Sequence, residues 1–234
     1  MKIHDVEQGS SAWLEARCGI VTASEADALI SPLGKVRTGA GVFTYLCQKL
    51  AERWLQKPLE NYDAFAMEQG RILEERARPW LAMKLDCDIQ RPGFITNDEE
   101  TCGCSPDGMI SNETGIEIKC PMAKTHVGYL IDGCLPSEYV AQVQTSLFVT
   151  RLSQWYFLSY HKDFPKLLLT IHPDVEYHDK LAEALEEFNE RLEVGWQRLL
   201  DANGGSPPPK RVPMTFSDEV QRGKAYADLN EVLQ

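Results

Sequence analysis

The chain has 234 residues, of which 43% are hydrophobic and 25% are charged, with 16 glycines and 13 prolines. This composition is typical of a globular protein with a well-buried core, and it excludes the fibrous, low-complexity and largely disordered classes. The formal net charge of −11 by itself argues against non-specific binding to nucleic acid or to anionic membranes, because both are also negative.

No stretch of the sequence approaches the ~18 consecutive apolar residues that a membrane span needs, and the first ten residues lack the features of a signal peptide. We therefore expect a cytoplasmic protein with no membrane partner. The seven cysteines form no C-x-x-C pairs and the five histidines lack metal-ligand spacing, so neither residue type predicts a disulfide framework or a zinc site.

Three helices are predicted in the amino-terminal part of the chain, over about 22–30, 40–56 and 64–80. The first begins with a capping-box pattern between Thr22 and Glu25. The second has apolar residues at every fourth position, which predicts one buried face. Pro79 is expected to break or kink the third.

The central part of the chain changes to short β-branched or aromatic runs bounded by turn residues, a pattern typical of strands. Five strands are predicted, over 88–96, 101–110, 115–119, 153–161 and 166–172. Helical spacing returns over 136–150 and 179–200, so the sequence predicts an α/β fold in which helices flank a central mixed β-sheet. Aromatic residues 155–157 are assigned to the core and sheet rather than to base stacking.

A Gly/Pro-rich segment follows the last long helix. Residues 202–213 contain adjacent glycines and three consecutive prolines, which cannot continue a helix. The predicted organisation is therefore a domain over 1–201, a linker over 202–213 and a tail over 214–234.

The most informative motif is Ser105-Pro106-Asp107-Gly108, followed by Ile116-Glu117-Ile118-Lys119. Turn-forming residues between the two segments can bring Asp107 and Glu117 onto neighbouring strands of one hairpin. Glu117 and Lys119 share a strand face, and the apolar residues between them indicate that the opposite face is buried while the charged face looks into a cleft or solvent. Two carboxylates and an ammonium suit metal-assisted hydrolysis at a phosphate, since Mg²⁺ prefers oxygen ligands. An ordinary surface hairpin with a Glu/Lys pair is the alternative.

Four segments in this order resemble the PD-(D/E)XK nucleases, and among them the phage lambda-type exonucleases, or alkaline exonucleases, of viral recombination systems. The segments are residues 13–25 (WLEARCGIVTASE), 70–78 (GRILEERAR), 104–108 with 115–121 (CSPDG and GIEIKCP), and 139–149 (YVAQVQTSLFV). The resemblance implies a restriction-endonuclease-like core.

The resemblance also implies the catalytic residues. The implied metal ligands are Asp107, Glu117, the Ile118 backbone carbonyl and Glu74, while Lys119 positions or activates water. They are expected to bind Mg²⁺, as two ions for which Mn²⁺ can substitute. Glu75 is the neighbouring alternative to Glu74, and Gly70 favours Glu74 because it fixes the register of the motif. Without the resemblance, Glu74 reads as a helical acid paired with Arg78 at i, i+4.

A terminal 5′-phosphate is expected to bind Arg17 and Ser24, which correspond to family residues with that role, with Ser105 and Gln142 nearby. A guanidinium binds phosphate bidentately, and a helix amino terminus at Ser24 would favour an anion. Gln144 could replace Gln142, although the two residues point some 200° apart on a helix.

A loop that enters the duplex in lambda-type sequences is shorter here. Residues 32–37 carry Leu33 where an arginine is expected, so Lys35 or Arg37 is the candidate for the DNA contact, and a solvated loop is the alternative. Three further basic residues before position 60 would contribute to a DNA-facing surface, namely Lys49, Arg53 and Lys57.

The resemblance implies a Mg²⁺-dependent 5′-to-3′ exonuclease that degrades linear double-stranded DNA with 5′-phosphate ends to mononucleotides, leaving 3′ single-stranded tails for annealing recombination. It further implies a homotrimeric ring, a single-strand annealing recombinase as partner, and a phage or prophage protein in the cytosol of a bacterial host. The alternatives are a restriction-like or structure-specific endonuclease on the same fold, and a catalytically silent DNA-binding module. Intact Asp107, Glu117 and Lys119 argue against the silent module.

The acidic excess is local. It lies in residues 61–126 and 171–234, whereas residues 1–60 carry seven basic and seven acidic side chains. Divalent cations would offset part of the charge around Asp107 and Glu117. The net charge therefore does not exclude DNA, and it predicts weak non-specific affinity together with strong metal dependence.

Overall fold

The computed structural model describes residues 1–59, 64–111 and 113–208, with the side chains of 64–72 outside that description. Helices and strands are interspersed along these ranges. The helices are α1 (Ser11–Arg17), α2 (Ala40–Leu55), α3 (Ala64–Leu85), α4 (Ala123–Asp132), α5 (Ser137–Thr150) and α6 (Val175–Ala202), with a 3₁₀ helix over Ala23–Ala28. The strands are β1 (Lys2–His4), β2 (Val21–Thr22), β3 (Phe94–Thr96), β4 (Cys102–Cys104), β5 (Gly108–Ile110), β6 (Thr114–Lys119), β7 (Gln154–Ser159) and β8 (Leu167–Ile171).

The strands form two mixed sheets of four strands each. The first has the order β1-β3-β4-β2, in which β2 runs parallel to β4. The second has the order β5-β6-β7-β8, in which β6 runs parallel to β7. The predicted α/β class with mixed sheet structure and flanking helices is confirmed, with the strands divided between two sheets.

Residues 105–107 carry the chain from the first sheet to the second. The sequence predicted one strand over 101–110, but this run contains β4 of the first sheet and β5 of the second. Pro106 has no amide hydrogen to donate to a ladder, which explains why the strand is interrupted there. The motif that contains Asp107 therefore lies at the junction of the two sheets.

The second sheet is covered on both faces. Trp155 and Phe157 of β7 are fully buried in the larger core, together with apolar residues of α5 and α6. On the other face, Ile116 and Ile118 pack in a smaller cluster that includes Leu81 of α3. The assignment of the aromatic run to the core is confirmed for Trp155 and Phe157. Because parallel strands need a crossover connection, α4 and α5 lie between β6 and β7 in the chain.

Two helices were not predicted, and two predictions need correction. The helices missed by the sequence are α1 and α4. The segment expected to be an α-helix from Thr22 is a 3₁₀ helix without a side-chain cap, because Thr22 Oγ1 donates to the Glu25 carboxylate instead of accepting from the backbone. Pro79 lies inside α3, which continues to Leu85, so the proline does not break the helix and the expected end near residue 80 was wrong. Leu81 is fully buried beyond the proline, and this burial offsets the roughly 3 kcal/mol that a proline costs inside a helix.

Helix α6 is longer than predicted and ends at Ala202. Gly204 and Gly205 follow it with φ angles of 68° and 79°, the left-handed conformation that commonly terminates a helix. The predicted linker is described only as far as residue 208, and the tail over 214–234 lies outside the described residues, so the domain boundaries stay predictions. No helix in the described ranges has the length and apolarity to cross a membrane.

Candidate active site

The β5–β6 hairpin places Asp107 beside the strand that carries Glu117. The amide of Asp107 donates to the carbonyl of Ile116 at 3.0 Å, which continues the antiparallel pairing of Gly108 with Ile116. The amide of Ile118 donates to Asp107 Oδ2 at 2.7 Å. Two hydrogen bonds to β6 thus fix both the backbone and the carboxylate of Asp107.

Glu117 is the centre of the polar group on β6. Its Oε1 lies 2.7 Å from Lys119 Nζ and accepts a hydrogen bond from Gln142 Nε2 of α5, also at 2.7 Å. Lys119 Nζ also lies 5.0 Å from the ring centroid of Tyr139. The charged face of β6 was expected to look into a cleft or solvent, but Glu117 is only 3% exposed because α5 packs over this face.

Helix α3 presents Glu74, rather than Glu75, to this group. The charges of Lys119 and Glu117 act on the carboxyl of Glu74. Glu75 instead points to the surface, where it pairs with Arg78 at 3.3 Å and with Arg91 at 3.1 Å. The described ion pair of Arg78 is thus with Glu75, which argues against the simple i, i+4 pairing of Arg78 with Glu74.

Negative charge is concentrated at this site. Burial raises the pKa of Asp107 well above its usual range, and the carboxylates of Glu117 and Glu74 raise it further. Burial likewise raises the pKa of Glu74, against the opposing effect of Lys119. For Lys119, burial lowers the pKa, but Glu117 and Asp107 outweigh it, so the net shift is upward and the ammonium stays protonated.

The chemistry of these donors fits a hard divalent cation. Carboxylate oxygens near a backbone carbonyl are what Mg²⁺ prefers, and a cation would relieve the repulsion that raises the carboxyl pKa values. Within the described ranges, no three His, Cys, Asp or Glu side chains already enclose a metal position. The described contacts engage one oxygen each of Asp107 and Glu117, namely Oδ2 and Oε1, so they leave the second oxygen of each carboxylate to a metal.

A second polar group, which we call the Arg17 group, consists of Arg17, Ser24 and Ser105. Arg17 Nη1 donates to Ser105 Oγ at 3.1 Å, and Nη2 donates to Ser24 Oγ at 3.3 Å. The Trp13 indole also donates to Ser105 Oγ, at 2.9 Å, and its ring lies 4.4 Å from the guanidinium. The structure therefore brings together three of the residues predicted to bind phosphate. Ser24 lies in a six-residue 3₁₀ helix, so the guanidinium and hydroxyls, rather than a helix amino terminus, are the available anion donors.

Trp13 is a site residue that the sequence reasoning missed. It lies inside the motif WLEARCGIVTASE, but no role was assigned to it because α1 was not predicted. An aromatic residue four positions before Arg17 is a signal that could have indicated a helix with both side chains on one face.

The two glutamines of α5 have separate environments. Gln142 donates to Glu117, whereas Gln144 donates to the carbonyl of His172 at 3.0 Å and accepts from the Asp174 amide at 3.0 Å. The wide angle between them on the helix explains the difference, and the geometry favours Gln142 as the site residue.

The basic residues expected on a DNA-facing surface lie in different places. Lys35 and Arg37 are exposed in the loop before α2, and the described contacts join neither side chain to the carboxylates or to the Arg17 group. Lys49 is only 2% exposed, so its assignment to a DNA-facing surface was wrong. Arg53 lies partly exposed against Glu193 of α6 at 2.5 Å.

A family model agrees with this arrangement. The model described as the YqaJ-like viral recombinase domain matches residues 12–153, which include both polar groups. The chain belongs to this family. A search of curated proteins found no match to this chain.

Solved structures of exonucleases share the fold of this YqaJ-like domain. The alkaline exonuclease LHK-Exo from Laribacter hongkongensis is 25% identical, with a TM-score of 0.74 over 83% of this chain and 98% of that one. Its complex with dAMP is also 25% identical, with a TM-score of 0.73 over the same shares of the two chains. A phage-related exonuclease from Haemophilus somnus 129PT is 14% identical, with a TM-score of 0.61 over 77% of this chain and 96% of that one, a likeness that shows the fold alone. The resemblance to alkaline exonucleases and the restriction-endonuclease-like fold are confirmed, and the family supports a nuclease role.

Proposed function

We propose that this chain is a Mg²⁺-dependent 5′-to-3′ exonuclease that degrades one strand of linear double-stranded DNA to mononucleotides and leaves a 3′ single-stranded tail. The observation that carries the proposal is the convergence of Asp107, Glu117 and Lys119 on one hairpin. Asp107 lies two residues after Ser105, which belongs to the Arg17 group. A group suited to hydrolysis and a group suited to binding phosphate are thus connected by a very short piece of chain.

The carboxylates of Asp107, Glu117 and Glu74, with the Ile118 carbonyl, would hold the metal. When bound, Mg²⁺ supplies polarisation of a phosphoryl oxygen and a lowered pKa for an attacking water. Lys119 places a fixed positive charge at the same position, which stabilises the negative charge that develops in the transition state. Gln142 holds the Glu117 carboxylate through their 2.7 Å hydrogen bond and so limits its freedom to turn away.

The Arg17 group supports recognition of a DNA end. A guanidinium and two hydroxyls are strong donors to the oxygens of a terminal phosphate, which carries more charge than a phosphodiester. A 5′-phosphate bound there would place the first phosphodiester near the carboxylates, because Ser105 and Asp107 are two residues apart. This relationship favours removal of the terminal nucleotide over cleavage within a strand.

The remaining features rest on the resemblance to lambda-type exonucleases. They are a second metal ion, substitution by Mn²⁺, a homotrimeric ring around the DNA, a single-strand annealing recombinase as partner, and activity in the cytosol of a bacterial host. A viral recombinase family is consistent with a role in recombination. A ring would also offset the weak non-specific affinity expected of a chain with a net charge of −11.

The proposal is tested with linear duplexes that carry 5′-phosphate or 5′-hydroxyl ends and with covalently closed circles, each incubated with Mg²⁺ or EDTA. We expect mononucleotide release from the 5′ end of the phosphorylated linear duplex, slower release from the hydroxyl duplex, and no product from circles or in EDTA. Equal cutting of circles would indicate an endonuclease on the same fold. Activity in EDTA would overturn the metal site, and the absence of any product would indicate a silent DNA-binding module.

A further inference from the structure

Lys49 of α2 is a buried ammonium between two carboxylates. It is 2% exposed, and its Nζ lies 2.7 Å from Glu25 Oε2 and 2.9 Å from Glu52 Oε2. Gln48 bridges the same pair, donating to Glu25 Oε1 at 3.0 Å and to Glu52 Oε1 at 3.1 Å. Lys49 and Glu52 are buried and Glu25 is partly buried. Burying charged side chains costs free energy that burying apolar residues would not, so this cluster points to a role other than packing.

Glu52 connects this cluster to the backbone just after Arg17. The amide of Gly19 donates to Glu52 Oε2 at 3.3 Å. Gly19 has a φ of +71°, and a Cβ at this position would lie 2.9 Å from Arg53 Cβ, so only glycine allows the backbone to approach α2 this closely. Glu52 thereby fixes the position of the turn that follows Arg17.

Glu25 connects the cluster to the segment that carries Ser24. Thr22 Oγ1 donates to Glu25 Oε2 at 2.8 Å and lies 3.3 Å from Ser24 Oγ. Glu25 is also the next residue after Ser24 in the chain. The two segments that carry Arg17 and Ser24 are therefore held, through Glu52 and Glu25, by the ammonium of Lys49, with Gln48 bridging the same two carboxylates.

Lys49 also balances charge next to Arg17. The guanidinium of Arg17 is within the electrostatic influence of both Glu25 and Glu52. With Lys49 in place, one positive charge is shared by the two carboxylates. Without it, the carboxylates would attract the guanidinium more strongly and compete with an incoming phosphate.

We infer that Lys49 is a positioning residue that sets the spacing of Arg17 and Ser24 and so determines the preference for 5′-phosphorylated DNA ends. This inference rests on the proposed function, because it assigns a determinant of specificity to the same site. It predicts an effect on the binding of one kind of end rather than on hydrolysis itself.

The test compares Lys49→Met with the unaltered protein on linear duplexes bearing 5′-phosphate or 5′-hydroxyl ends in Mg²⁺. We expect KM for the phosphorylated duplex to rise about 10-fold, while kcat and the KM for the hydroxyl duplex change by less than about 2-fold. A purely structural role would reduce the concentration of folded enzyme and lower the rates on both substrates equally. Lys49→Arg should restore most of the preference.

Lys180→Met is the matched control, because it removes an exposed ion pair with Glu176 at 2.6 Å on α6. It should leave the preference unchanged. If Lys49→Met does not fold, Glu52→Gln decides the question, since it retains the side-chain shape while weakening the contact with Gly19. This variant should lower the preference by at least about 3-fold.

A folded Lys49→Met or Glu52→Gln variant that keeps the full preference for 5′-phosphate would overturn the inference, as would equal losses on both substrates. Those results would leave the proposed nuclease activity intact. An unaltered protein that is active but treats both ends alike would contradict the assignment of the Arg17 group and the role of Lys49 with it. An unaltered protein with no activity on any duplex would contradict the proposed function itself.

Discussion

The Ile118 amide holds the Asp107 carboxylate across the hairpin with a 2.7 Å hydrogen bond. Ile118 is fully buried in the cluster between the second sheet and α3, so the donor is fixed by the core of the fold. The carbonyl of the same residue is an expected metal ligand. The proposed site is therefore held in place by buried packing rather than by a loop, which suits a reaction that needs precise positioning.

Replacement of Lys119 tests the assigned role of the ammonium. Lys119→Ala should lower kcat by about 10²- to 10³-fold, because it removes a fixed positive charge from the reacting phosphate. DNA binding, measured by fluorescence anisotropy in Ca²⁺, should change little. Lys180→Ala on the surface of α6 is the control, and a Lys119→Ala variant with near-normal kcat would exclude the proposed role.

Glu74 and Glu75 are adjacent on α3, and neutralising each in turn shows which of the two acts at the site. Glu74→Gln should reduce the rate by about 10²-fold or more and raise the Mg²⁺ concentration needed for half-maximal rate, since it removes a proposed ligand. Glu75→Gln should change the rate by less than about 3-fold, because Glu75 forms exposed ion pairs of low energy. Initial rates across a Mg²⁺ titration measure both effects, and the reverse order would assign the site to Glu75.

Gly115 lies where the strand that carries Glu117 has no room for a side chain. A Cβ at this position would lie 2.1 Å from the ring of Trp155, which is fully buried. Gly115→Ala should therefore destabilise the protein by about 1–3 kcal/mol or more through overpacking. Gly128→Ala in α4 meets nothing within 4 Å and should stabilise it by about 0.5–1 kcal/mol. Chemical denaturation measures both, and similar effects of the two substitutions would contradict the packing account.

The lowered pKa of Glu25 predicts part of the change in the stability of the protein at acidic pH. Burial raises the pKa of this carboxyl, but Lys49 and hydrogen bonds outweigh it, so the net pKa lies below the ordinary value of 4.5. The stability that Glu25 contributes is fully present above that value and is lost as the pH falls through its lower folded-state pKa. Glu25→Gln should be less stable at neutral pH and should lose less stability between about pH 5 and pH 3. Denaturation at several pH values measures this, and parallel curves for the two proteins would exclude Glu25 as a contributor.

Much of the fold could be predicted because apolar residues that recur regularly in the sequence form the buried faces of its helices and strands. Helices α2 and α5 and the strand that carries Glu117 and Lys119 were predicted close to their observed bounds, and α6 was predicted without its first four residues. What failed depends on tertiary contacts. The sequence of 101–110 does not reveal that its two halves pair with different sheets, and Pro79 breaks no helix because Leu81 beyond it is buried.

The candidate site was predicted residue by residue, but its surroundings were not. The hairpin motif and the resemblance together named Asp107, Glu117 and Lys119, and the structure brings them together. The burial of Glu117 under α5 could not be predicted, because strand alternation shows which face is charged and not what covers it. Lys49 was misassigned to the surface for a similar reason, since its partners are Glu25, distant in sequence, and Glu52 on the same helix.

The proposed function depends on Asp107, Glu117 and the Ile118 carbonyl binding the metal that the nuclease requires. The most direct test is the anomalous scattering of Mn²⁺ in crystals grown with a 5′-phosphorylated duplex. We expect a peak within coordination distance of Asp107, Glu117 and the Ile118 carbonyl, and we expect Asp107→Asn to lose it. A protein that is active with Mn²⁺ but binds the ion only at other residues would show that these three groups do not form the metal site.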